Sequence, residues 1–447
     1  MIIIKLKNIL IKKIENHREN RIFYLRVVIH FIKYFLSSRY RNKYCLLDID
    51  SEFFYKYKKL SKYLSIPLLI IARYFEKRRI FISVNNNNNS SVGHVYPEID
   101  QLKRMQLLDN TYSNSHILFT STKKEILIDT KDIFKSKDFT ILIGGIKHLI
   151  LTLVAIKNPS ISIDASLGQE NYIFGIKKHP PRISFQDKSM QRARLLSNSA
   201  KFYPNKHMLG HYHDKKNQLI KDLNITKNYI VLQMKNTPTN ATFKPTDPNI
   251  YVDSIKYFQN KGYDIVFAGR ETYPKVFIEY GVINYSTSGH ASPMNDYLLV
   301  GNSSFVICSA SGFCNIAETM DKPLLVVNSF HGIQQFGRRT ILLPTLLARD
   351  EELFNARIQH MYLCKFGQSF GRPWFKDPKN LYLYHMATSR EVLEAAKELE
   401  GMASDDIPPY TSLQKKIREN DGCPLLLDGL SRISDYYLSK YGYFFDK

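Results

Sequence analysis

The stretch Phe305-Val-Ile-Cys-Ser-Ala-Ser-Gly-Phe-Cys-Asn-Ile-Ala-Glu-Thr-Met-Asp-Lys-Pro-Leu-Leu-Val-Val-Asn328 decides the fold. It opens on a short apolar run, Phe305 to Cys308, and closes on another, Pro323 to Asn328. Between them a small-residue turn, Ser309 to Gly312, leads into a helix over Phe313 to Met320. Short apolar runs bounded by turn signals read as strands buried on both faces, and two strands joined by a crossover helix pair in parallel.

The same alternation repeats upstream. Tyr229 to Met234 is a strand, and Tyr251 to Lys261 is a helix ended by Gly262. Asp264 to Ala268 is a strand running into Gly269-Arg270, followed by a short helix from Pro274 to Tyr280 and a strand from Val282 to Tyr285. An earlier series begins with a strand at Arg79 to Val84 and a low-complexity loop, Asn85 to Asn89, to which we assign no chemistry. A helix then opens at Gly93-His94 with Pro97 in its first turn, followed by a strand from His116 to Thr120. A buried helix from Gly144 to Ile156 and a strand from Ser160 to Asp164 complete this series, and Lys177 to Leu223 reads as a linker with a connecting helix.

The expectation is an α/β protein with two Rossmann-like, doubly wound domains in tandem. Residues 1–79 form a basic amphipathic extension, 80–223 the N-terminal domain, 224–345 the C-terminal domain and 346–447 a helical region.

Composition bounds the function. The 447 residues carry a net charge of +22, with 44% hydrophobic side chains, which is too apolar for a disordered chain. Cys45, Cys308, Cys314, Cys364 and Cys423 are odd in number and include no C-x-x-C pair, so neither a disulfide framework nor a zinc ribbon is indicated. No apolar run reaches the ~20 residues that span a bilayer, and Lys147 and His148 interrupt the longest, Ile141 to Ile156. Met1 to Lys13 lacks the apolar core and cleavage site of a signal peptide. The expected compartment is therefore the cytoplasm.

Residues 1–80 hold 19 Lys and Arg against 6 Asp and Glu, more than half of the excess charge. Within them Phe23, Val27, Val28, Phe31, Ile32, Phe35 and Leu36 recur at helical spacing among Arg18, Arg21, Arg26, Lys33, Arg39 and Arg41. Such a face suits an anionic membrane surface, where each cation contributes on the order of 1 kcal/mol. It equally suits a helical extension packed on the protein body. With no zinc-finger spacing and no RNP-type motif, nucleic acid is not an expected partner.

In an open α/β sheet, ligands collect outside the carboxyl ends of the strands. Four loops there hold candidate residues. Ser309, Ser311 and Gly312 form a turn whose backbone amides could meet a diphosphate, and Glu318 on the following helix could reach a ribose hydroxyl. Lys235 and Gly269-Arg270 follow two other strands, and either cation could pair with phosphate oxygens. In the first half, His94 could take a proton from an acceptor hydroxyl, with Glu98 and Asp100 close enough to orient its ring. The phosphate loop G-x-x-x-x-G-K-[ST], the G-x-S-x-G elbow and the H-E-x-x-H motif are all missing, as is a D-x-D pair in metal-binding context. The default expectation is therefore chemistry without a metal or cofactor.

The series Gly93-His94, Gly269-Arg270 with Tyr273-Pro274, Ile283-Asn284-Tyr285-Ser286, Asn295-Asp296-Tyr297-Leu298, and Ser311-Gly312 followed by Pro323 and Asn328 runs over roughly residues 80 to 345. In order and spacing it resembles a little-characterised family of bacterial glycosyltransferases from surface-polysaccharide clusters, those of O-antigen and capsule. The resemblance implies a GT-B architecture, with a nucleotide-sugar donor held by the C-terminal domain at Gly269, Arg270, Ser309, Ser311 and Gly312. It also implies a lipid-linked or saccharide acceptor facing His94. One departure is Gln233-Met234-Lys235-Asn236, where similar proteins carry a histidine and an arginine. Two alternatives stay open: a polyol-phosphate transferase of related fold, and a non-catalytic scaffold at the membrane.

Overall fold

The computed structural model describes residues 65–85, 92–121, 124–127, 130–134, 136–163, 192, 194–199, 207–235, 246–309, 311–329, 337–348, 383–404, 406–419 and 429–441. The basic amphipathic pattern over residues 1–64 and the asparagine tract beyond Asn85 lie outside the described residues.

The first unit comprises α1 (Ser65–Lys77), β1 (Ile80–Asn85), α2 (Val92–Leu108), β2 (His116–Ser121), α3 (Lys124–Leu127), α4 (Lys131–Phe134), β3 (Phe139–Ile143), α5 (Gly145–Lys157) and β4 (Ser162–Ile163). A connecting helix, α6 (His213–Asp222), leads to the second unit. That unit runs β5 (Tyr229–Gln233), α7 (Val252–Asn260), β6 (Asp264–Phe267), α8 (Lys275–Glu279), β7 (Ile283–Asn284), α9 (Pro293–Asn302), β8 (Phe305–Ser309), α10 (Cys314–Thr319), β9 (Leu324–Ser329) and β10 (Thr340–Pro344). The chain closes with β11 (Leu346–Ala348), β12 (Leu383–His385), α11 (Ser389–Glu400), α12 (Ser412–Arg418), β13 (Arg432–Ile433) and α13 (Asp435–Tyr441).

The first sheet has the order β3-β2-β1-β4 and the second β13-β10-β9-β8-β5-β6-β7. Every pairing in both is parallel. Strands β5, β8, β9 and β10 are buried at every position, as helices on both faces of a parallel sheet require. The tandem doubly wound α/β architecture read from the sequence is thus the observed one.

Two differences have physical causes. The helix expected from Gly144 to Ile156 is α5, but the residues before it form a strand that was not expected, β3, set off at Gly144, which adopts φ 56° and donates its amide to the Ser121 carbonyl at 2.8 Å. A left-handed glycine turn lets one uninterrupted apolar stretch serve as strand and then helix. His148, in the middle of that run, is fully buried with Nδ1 2.7 Å from Thr120 Oγ1, and burial lowers its pKa to about 4. The second difference lies at the C-terminal end, where residues beyond 345 add more than helices: β13 pairs in parallel with β10 and extends the second sheet. Two residues are too short a strand to leave a pattern in the sequence.

An apolar core runs through both units, and aromatic rings carry it across their junction. Tyr96 on α2 and Phe134 on α4 meet Tyr297 on α9, with ring centroids 5.7 and 5.5 Å apart and near-perpendicular planes. Edge-to-face packing of this kind adds about 0.5–1.5 kcal/mol per pair beyond the buried area.

Candidate functional site

Each sheet has one point where its winding reverses. In the first, β1, β2 and β3 grow to one side while β4 lies on the other side of β1; in the second, β5, β6 and β7 grow one way and β8, β9 and β10 the other. Ligand crevices open at such points, outside the carboxyl ends of the diverging strands. Here they lie beyond β1 and β4 in one unit and beyond β5 and β8 in the other. Helix α2 leaves the first crevice and α10 the second, and the two helices pack against each other. The two crevices are thereby brought to one place.

The second crevice is laced shut at its base. Lys235 N–H donates to Ser309 Oγ at 2.8 Å, and Ser311 Oγ–H donates to Gln233 Oε1 at 2.8 Å, tying β5 to the turn after β8. Phe313 N–H points back to Ser311 Oγ and Cys314 N–H to the Ser311 carbonyl, both at 3.3 Å. Those amides serve the turn itself, and the six-residue α10 adds only a short dipole, so the turn offers an anion less than the sequence suggested. Cys308 and Cys314, six residues apart, are in disulfide contact across the same turn, a local clasp rather than a framework.

The loop after β6 turns one charge outward and one inward. Gly269 has φ 103°, and a Cβ there would stand 3.0 Å from Gln233 Cγ, so the backbone passes close over the Gln233 side chain. Only glycine fits that combination without strain. Arg270 follows, exposed, while Glu271 turns inward and meets Lys235 Nζ at 2.6 Å. Lys235, read as a phosphate ligand, is therefore engaged by a buried carboxylate, and Arg270 is the outward-facing cation of the pair.

On the first-unit side, α2 begins at Val92, so Gly93 and His94 occupy its first turn instead of the preceding loop, and Pro97 lies inside the helix. The His94 side chain lies outside the described residues. Glu98 and Asp100 are buried. Asp100 Oδ2 accepts from Arg104 Nε at 2.9 Å, one helical turn on, and stands 3.8 Å from Arg192 Nη1. Arg192 Nη2 in turn meets Glu318 Oε2 at 2.6 Å, and Glu318 Oε1 accepts the Gly337 N–H at 3.0 Å. Asp100 and Glu318, read as a ring-orienting acid and a ribose ligand, thus make their contacts in a buried ion cluster at the junction of the units.

Sequence reasoning passed over Arg192 and His290, and it quoted Tyr285, Ser286 and Asp296 in the motif series without giving them a role at the site. Arg192 gave no signal within an aperiodic linker. Asp296, in the first turn of α9, accepts from Tyr285 Oη at 2.8 Å, and burial raises its pKa to about 6 against the pull of that hydrogen bond and of the Arg270 charge. Tyr285 and Ser286 both donate backbone amides to the Phe267 carbonyl, which brings this pair alongside the Arg270 loop. His290, on the loop after β7, has Nδ1 3.8 Å from Asp222 Oδ2 at the end of α6. A serine N-cap followed by proline, Ser292-Pro293, was the available sign that α9 starts beside this loop. Among the described residues, no group of three or more His, Cys, Asp and Glu side chains could hold a metal ion.

No family model and no curated protein matches the chain. Among solved structures it is similar to a family 9 glycosyltransferase from Veillonella parvula DSM 2008, with 11% identity, 72% of this chain and 97% of that one covered, and a TM-score of 0.43. It is also similar to the ADP-heptose lipopolysaccharide heptosyltransferase II of E. coli, with 9% identity, 59% and 90% coverage and a TM-score of 0.41. An iron-containing dodecameric glycosyltransferase from enterotoxigenic E. coli H10407 gives 14% identity, 70% and 71% coverage and a TM-score of 0.37. Likenesses this distant do not assign the site, whose reading rests on the geometry of this chain.

Proposed function

We propose that the chain is a glycosyltransferase that moves a sugar from a nucleotide-sugar donor to a saccharide or lipid-linked acceptor in the building of a bacterial surface polysaccharide. The observation that carries this reading is the packing of α2 on α10, which sets the β1/β4 and β5/β8 crevices against each other. Two facing crevices suit a two-substrate transfer, one for donor and one for acceptor.

The nucleotide diphosphate would lie over the β5/β8 crevice, with Arg270 taking phosphate oxygens and Gly269 and Gly312 letting the backbone come close. The acceptor hydroxyl would attack the anomeric carbon, forming the new C–O bond as the bond to the diphosphate breaks. His94 on the first turn of α2 would receive the hydroxyl proton, and Arg270 would neutralise the charge gathering on the leaving diphosphate. Ser309 and Ser311 would hold the turn in place. Lys235 would contribute less positive field than its sequence position suggests, because Glu271 offsets it. The transfer is proposed to run without a metal.

His94→Ala tests the assignment in a transfer assay read by mass spectrometry of the product. We expect a fall of about 10²–10⁴-fold in turnover, the range contributed by a positioned base. Full retention of transfer would remove His94 from the mechanism.

A further inference from the structure

We infer that Arg192 is a positioning residue that clamps the acceptor crevice to the donor crevice at a fixed spacing. Its guanidinium reaches both units at once. Nη1 donates to the Pro97 carbonyl on α2 at 3.2 Å and stands 3.8 Å from Asp100 Oδ2. Nη2 meets Glu318 Oε2 on α10 at 2.6 Å. The Arg192 side chain is 3% exposed and those of Asp100 and Glu318 are fully buried, so this contact lies inside the molecule, where water cannot take over either partner's role.

Each end of the clamp is itself anchored. Asp100 is held by Arg104, whose Nη1 donates to the Ser199 carbonyl at 3.1 Å and to Ser199 Oγ at 2.7 Å. Glu318 is held by the Gly337 N–H, and a Cβ at Gly337 would stand 3.3 Å from Glu318 Cγ, so that strand-entry loop is pressed against the carboxylate. Two cations and two anions balance across the cluster, and a guanidinium fork fixes direction as well as distance. The helices it joins are the two that leave the crevices, α2 carrying His94 in its first turn and α10 following Ser311-Gly312. A movement of the clamp is therefore a movement of one half-site against the other. The Pro97 carbonyl that accepts from Arg192 lies within α2, so the clamp grips that helix by its backbone as well as by the Asp100 side chain.

The role in transfer rests on the glycosyltransferase reading above, but the clamp can be tested without it. Spectroscopic labels at the exposed Lys147 on α5 and Lys256 on α7, introduced as unnatural amino acids in the full chain, report the spacing of the units. Wild-type protein should give one narrow distance distribution. Arg192→Met should broaden and lengthen it with the far-ultraviolet circular dichroism unchanged. Glu318→Gln, which keeps the shape but removes the charge and leaves one accepting oxygen for the two donors Arg192 and Gly337 N–H, should give an intermediate width and serves if Arg192→Met does not fold. A distribution unchanged in a folded Arg192→Met or in Glu318→Gln overturns the clamp. If the distribution changes but no nucleotide diphosphate alters the melting of wild-type protein, the clamp stands and the glycosyltransferase reading fails. With an active substrate pair, Arg192→Met should lower kcat by about a hundredfold, as an ångström-scale misplacement does, while donor KM stays within about twofold. A rise in KM with kcat intact would assign Arg192 to binding instead.

Discussion

Two buried titratable residues, one in each unit, respond to acid in opposite directions. His148 on α5 has its pKa lowered to about 4 by burial, against 6.5 when free, so the folded state resists the proton that the unfolded chain accepts. Stability tied to His148 is complete above pH 6.5 and is lost as the pH falls from there to about 4. Asp296 has its pKa raised from 3.8 to about 6, so its folded form favours the proton, and stability is lost as the pH rises from about 4 to 6. The prediction is that His148→Gln flattens the acid loss of melting temperature between pH 6.5 and 4.5, restoring about 2–3 kcal/mol at the acid end. Asp296→Asn should steepen it, because the acid-side gain disappears. The two melting curves against pH decide the matter. A histidine inside an apolar run is visible in a sequence; that a strand hydroxyl, Thr120, would meet its Nδ1 is not, because the pairing depends on register between β2 and α5.

At the scale of elements, most strands were legible because parallel strands buried on both faces are written as short apolar runs. β5, β6 and β8 fall within a residue or so of the runs that announced them. β3 was missed because it abuts the helix opened by Gly144, with no turn run to set it apart; β10, Thr340 to Pro344, carries the same apolar signature and was passed over, and β13, two residues long, is a strand only through its pairing with β10. The site divides along the same line. Gly269, Arg270, Ser309, Ser311 and Gly312 were chosen from their place after strands; the structure sets Gly269 against Gln233 at the end of β5, ties Ser309 and Ser311 to Lys235 and Gln233, and leaves Arg270 exposed beside them in sequence. The partners that decide what those residues can do were not legible. Glu271 takes Lys235 and Arg192 takes Glu318, and each acidic residue is distant in sequence from the cation it meets.

At the scale of the whole molecule, the charge of +22 is uneven. The segment that concentrates it lies mainly outside the described residues, and among the described residues no helix is long and apolar enough to cross a membrane. We propose that the basic segment holds the protein on an anionic inner membrane surface, where a lipid-linked acceptor would be found. Removing residues 1–37 should release the chain from vesicles containing phosphatidylglycerol but leave its melting temperature in place, as read by co-sedimentation and calorimetry. Undiminished sedimentation would return the membrane contact to the folded body.

We propose that the two crevices beside α2 and α10 form one donor–acceptor site with Arg270 at the diphosphate. Its most direct test is the melting temperature of the full chain titrated with UDP, GDP, ADP and CDP, for wild type and Arg270→Ala. Wild-type protein should show saturable protection by one of these nucleotides, near 2.7 kcal/mol at a hundredfold excess over its Kd, with most of it gone in Arg270→Ala. No protection of the wild type by any of the four, or equal protection of both proteins, would contradict it.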